Sequence, residues 1–174
     1  MPDLSLFVEF GVGLAGFSAV VVAFTTGNGE LNQFDRFRVI MLLLNALIPP
    51  FVAALVPVLA SFEVPDPVAL KVLGYVTLIG MISVLLAPIV MLRSMTEEAR
   101  AQLHIAIWIF GNGGTAIFAI WNFVNLMEWF GPMSAGPIAL SLVWTLILAA
   151  LMLLRMLLVR VRVQTAETAG ENDQ

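Results

Sequence analysis

Leu103-His-Ile-Ala-Ile-Trp-Ile-Phe-Gly-Asn-Gly-Gly-Thr-Ala-Ile-Phe-Ala-Ile-Trp-Asn-Phe-Val-Asn-Leu126 is long and apolar enough to cross a bilayer, yet it carries His104, Asn112, Thr115, Asn122 and Asn125. At about 100° per residue, His104, Trp108, Asn112, Thr115 and Asn122 fall within an arc of roughly 80° on a helix. Hydrocarbon supplies no hydrogen-bond partner, so this polar intramembrane face is expected to turn towards other helices, a second subunit or a water-filled cavity. The remaining segments have to provide that shelter, and the expected fold is all-α: a transmembrane bundle of five helices with short loops.

Composition supports the same fold. Of 174 residues, 60% are hydrophobic and 11% charged, and the mean hydropathy is +0.99, outside the range of a soluble globular domain. The reading is one domain over 1–162, with helices at about 4–25, 39–62, 68–92, 95–127 and 137–160, and a disordered acidic tail over 163–174. The absence of cysteine removes disulfides, thiolate metal sites and cysteine nucleophiles. No basic region precedes the first apolar run, which argues against a cleaved signal peptide.

Along the first helix Gly11, Ala15, Ala19 and Ala23 recur every four residues, the spacing of a helix-packing groove. Glu9 is the acid placed well inside this span, and Lys71 is the base expected on the same side, so the two are expected to form an ion pair. The second span contains Asn45, Pro49, Pro50 and Pro57. Each proline removes a donor and clashes with the preceding turn, so Pro49-Pro50 is expected to kink or break the helix and free carbonyls near mid-membrane. Asp66 is expected to cap the third helix with Pro67 at its first position. Ser94-Met-Thr-Glu97 has capping-box spacing, and Arg155 near the end of the last span is expected to snorkel to the interface.

With five spans, Arg36, Arg38, Arg93, Arg100, Arg155, Arg160 and Arg162 fall on one side and Lys71 on the other. By the positive-inside rule the N-terminus is outside and the C-terminus cytoplasmic, in a cell inner membrane. The combination Gly16-Phe-Ser-Ala-Val-Val-Val-Ala-Phe24, Asp35-Arg-Phe-Arg38 and an apolar span with Pro57 near its far end resembles a group of uncharacterised small bacterial multi-pass integral membrane proteins. The resemblance covers the first third of the chain. It implies an inner-membrane location and no known activity.

An inventory argues against catalysis. There is one histidine, and the chain has no HExxH, phosphate loop or G-x-S-x-G. No cofactor, metal or nucleic-acid partner is expected. Two readings of function follow. The first is a structural or regulatory membrane component that acts through helix packing, with itself as a homo-oligomer or with another membrane protein. The second is a small homo-oligomeric channel or transporter for an ion or small solute, lined by the fourth helix and the proline break of the second. One asparagine or threonine across a helix interface contributes only about 0.6 to 2 kcal/mol, so a polar face needs no pore to explain it. The bilayer is the common partner of both readings.

Overall fold

The computed structural model describes residues 7–14, 16, 33–97 and 105–171, and among these all regular structure is α-helical. A helical segment at 7–14, here α1, is followed by α2 (Gln33–Ser61), α3 (Asp66–Ser94), α4 (Ile105–Leu126) and α5 (Gly136–Glu171). Among the described residues three stretches are long and apolar enough to cross a membrane, namely Asp35–Ser61, Asp66–Arg93 and Gly136–Leu158. That is fewer than the five spans expected from the sequence. α4 has 22 residues, and most of the expected first span, with Ala15, Ala19 and Ala23, lies outside the described residues, as does His104.

The helices form a ring. α2 packs against α3 and α5, and α4 packs against the same two neighbours, so α2 and α4 face one another across the bundle without an extensive contact. Val39, Leu42 and Ala46 of α2 meet Ala149, Leu153 and Met156 of α5 in one apolar cluster. Val52 and Ala53 join Leu73 of α3 and Ile138 and Leu142 of α5 in a second. Phe37 and Met41 pack on Val84 and Met95 in a third. Large apolar side chains such as Phe51, Ile79, Val90, Ile117 and Ile120 are exposed on the outside, which suits a bundle surrounded by lipid far better than one surrounded by water.

Several interfaces are closed by a glycine whose missing side chain lets a neighbour in. Gly11 of α1 lies on the Pro50 ring, Gly80 of α3 on Ile48, Gly74 of α3 on Leu126 of α4, and Gly114 of α4 on the indole of Trp144 of α5. Small residues have this use wherever helices must approach closely without a solvent-driven hydrophobic effect.

α2 is helical throughout despite Pro49, Pro50 and Pro57, so the expected helix break at Pro49 and Pro50 does not occur. The packing gives the reason. Pro50 cannot donate to the Ala46 carbonyl, and Gly11 lies against both: a methyl added there would come within 3.1 Å of the Ala46 oxygen and closer still to the proline ring. The backbone of α1 thus covers the irregular turn, and both prolines are buried.

Three further expectations change. Asp66 lies inside the first turn of α3, and Pro65 precedes it with no side-chain capping bond. α5 continues to Glu171 and therefore runs over 163–171, the stretch read as a disordered tail. Loss of hydropathy marks where a span ends, whereas Arg, Gln, Ala and Glu are good helix formers and let the helix itself propagate. Asn112, on the face expected to turn towards other helices, donates instead to the Trp108 carbonyl on its own helix at 3.0 Å, because α2 lies diagonally across the ring from α4.

Candidate ligand cavity

α4 is held by two polar contacts along the face read from its sequence. Asn122, fully buried, donates through Nδ2 to the Gly74 carbonyl of α3 at 3.0 Å. Trp144 of α5 donates through Nε1 to Thr115 Oγ1 at 3.1 Å, and Thr115 donates to the Gly111 carbonyl at 2.8 Å. Trp144 also lies beside Phe110 and Phe118, with ring centroids 5.4 and 5.3 Å away. Asn125 is used differently. Its Nδ2 donates to the Ser134 carbonyl at 2.9 Å and its Oδ1 accepts from the Ser134 amide at 3.1 Å, tying the α4–α5 connection to the end of α4.

With α4 fixed to α3 and α5, and α2 fixed to the same pair, a cavity of about 760 Å³ remains between them. α2 contributes Phe37, Arg38, Met41 and Asn45; α3 contributes Val84 and Pro88; α4 contributes Trp108, Asn112 and Thr115. The α5 wall includes Leu148, Leu151, Met152 and Arg155. The lining is mostly apolar, with polar groups at a few points, which is the usual chemistry of a pocket for a small organic molecule.

Two of those polar groups have no hydrogen-bond partner among the described residues. Asn45 is fully buried; its Nδ2 donates to the Met41 carbonyl at 2.8 Å, while its Oδ1 has no donor. The buried Nε1 of Trp108 has no acceptor. Each such atom costs about 1 to 3 kcal/mol if left unpaired. Asn122 Oδ1 is in the same state, but away from the cavity wall.

Charge is concentrated at one end. Arg38 and Arg155 are the charged residues of the lining. Asp35 lies 3.4 Å from Arg38, whose side chain is only 14% exposed. Arg155, expected from the sequence to snorkel to the interface, lines the cavity near enough for its charge to act on Arg38.

No protein-family model, curated protein or solved structure matches the chain. The chemistry of the cavity therefore carries the functional reading on its own. Among the described residues no group of three or more metal-ligating side chains is gathered.

The expected Glu9–Lys71 pair is not formed. Lys71 Nζ lies 2.9 Å from Glu128 Oε1, in the turn after α4, where Glu128 has a positive φ of 56°. Glu9 is exposed on α1 beside Phe10, Gly13 and Leu14, near Leu153 of α5. α1 packs on α2 and α5, whereas Lys71 faces the α4–α5 connection.

Sequence reasoning passed over Trp144, and it placed Trp108 on the polar face of the fourth helix without giving it a role. Gly111 and Gly114, spaced for close approach, were the available signal that a large ring from a neighbour had to be accommodated beside Thr115.

Proposed function

We propose that this chain is a non-enzymatic, five-span protein of a cell inner membrane, with its N-terminus outside and its C-terminus cytoplasmic. It takes the apolar part of a membrane amphiphile into its bundle. As a regulatory membrane component, it would pass the occupancy of that site to a second copy of itself or to another membrane protein. The observation that carries this reading is the cavity of about 760 Å³ bounded by four helices, apolar over most of its wall. A conduit for an ion or small solute is the second reading, favoured by Asn112 and Thr115 on the wall. The apolar lining weighs against it, since a permeating ion needs a succession of oxygen ligands.

The test uses Trp108 as reporter. A brominated, uncharged monoacylglycerol added to the protein in a neutral detergent should quench tryptophan fluorescence saturably, and Trp108→Phe should remove the saturable part. Gly111→Phe should occupy the cavity and abolish the effect, because a side chain started at Gly111 meets only Leu148, at 3.7 Å. Absence of saturable quenching in the wild type, together with ion flux from proteoliposomes that is lost in Asn112→Leu, would replace this reading by the conduit.

A further inference from the structure

The cavity has a polarity along its length. Met41 and Asn45 are about one and two turns inward from Arg38, and Leu151 and Leu148 the same from Arg155. At 1.5 Å per residue the walls extend about 10 Å beyond the arginines on both helices. An occupant that matches this shape has an anionic group at one end and a hydrocarbon chain at the other.

We infer that Arg38 and Arg155 receive the phosphate of an anionic phospholipid whose acyl chain occupies the cavity. This deepens the reading proposed above and rests on it. Two guanidiniums line one end of the cavity, and among the described residues no carboxylate does. Asp35 lies against Arg38 at 3.4 Å from outside the lining. Among the described residues no carboxylate pairs with Arg155. An anion between the two would relieve their mutual repulsion, and the planar fork of arginine suits the oxygens of a phosphate.

A second observation points to the same occupant. Trp108 Nε1 is a buried donor with no partner on the cavity wall, and an ester carbonyl at the junction of head and chain is an acceptor. Asn45 Oδ1, unpartnered and deeper, is left for a water that enters with the lipid. The apolar walls select a lipid over free phosphate, which would leave most of the cavity unfilled.

The experiment compares brominated phosphatidylglycerol with brominated phosphatidylcholine, titrated into the full chain in a neutral detergent, with quenching of Trp108 as the readout. Each arginine near an anionic head is worth about fivefold in affinity, so with two of them the anionic lipid should half-saturate at a concentration roughly twenty-five-fold lower. Arg155→Gln should remove about fivefold of that preference, Arg155→Lys should retain part of it, and Arg38→Gln/Arg155→Gln should bind both lipids alike. A thermal melt of each variant without lipid reports folding, and Arg155→Gln serves if loss of the Asp35 contact unfolds the double variant. Saturable quenching by both lipids with equal affinity in the wild type would overturn the headgroup assignment and leave the cavity reading standing. Absence of saturable quenching by either would remove both. Full competition by inorganic phosphate alone would reassign the arginines to a free anion and overturn the lipid.

Discussion

Gly113 and Gly114 are adjacent in sequence and opposite in surroundings. Nothing lies within 4 Å of a methyl built on Gly113, while one on Gly114 would enter the Trp144 ring. Gly114→Ala should therefore lower stability by about 1 to 3 kcal/mol through overpacking. Gly113→Ala should be neutral or slightly stabilising, since alanine is the better helix former. Equal melting temperatures for the two variants would show that Trp144 does not pack there. At Asn122 the expectation is narrower. The bond to the Gly74 carbonyl is worth about 0.6 to 1.7 kcal/mol by analogy with other interhelical bonds in membranes. Asn122→Leu should remove that bond while relieving the unpaired Oδ1, so its melting temperature should fall less than that of Gly114→Ala. Asn112, bonded within its own helix, should tolerate leucine better still. Sequence pattern alone distinguished none of these. A helical wheel shows that Asn112, Thr115 and Asn122 share a face, but which of them bonds across an interface depends on which neighbour arrives at that level.

For whole elements, helix content and order were legible from hydropathy, because apolar runs of this length have few alternatives. Continuity was not. Pro49 and Pro50 carry a strong local breaking tendency, and what offsets it is a residue about forty positions away, Gly11, whose backbone covers Ala46 and Pro50. Gly11→Leu should push α1 from α2 and expose that turn. Amide hydrogen exchange over 46–54 should rise well above wild type, while exchange in α3 should be unchanged. Unaltered protection over 46–54 would mean that α2 holds its own irregular turn. The ion pair was misread for a related reason. Lys71 is met by Glu128 because the connection after α4 folds over the start of α3, and loop geometry of that kind leaves no trace in charge spacing.

At the scale of the molecule, the charges divide between two ends. Gln33 Oε1 accepts from the Thr96 amide at 3.2 Å, so the start of α2 and the end of α3 share the end that holds Arg38 and Arg155. Lys71, Glu128 and the exposed aromatics Phe62, Trp129 and Phe130 occupy the other, where aromatic rings suit a membrane interface. A reporter fused after Gln174 should accordingly be active only in the cytoplasm, and one fused before Leu4 only outside. Activity of both reporters on one side would rule out an odd number of spans. The cavity itself was not legible, because it arises from the diagonal separation of α2 and α4, a property of the ring and of no single helix.

That separation gives the bundle a volume that can be squeezed out. Hydrostatic pressure favours whichever state eliminates internal void. A bundle joined between neighbouring helices but with space left between α2 and α4 should therefore lose its native fluorescence at lower pressure than one in which that space is filled. Filling the space, by a bound chain or by Gly111→Phe, should move that transition to higher pressure. The transition pressure thus offers a mechanical gauge of how full the molecule is, readable without knowing what fills it.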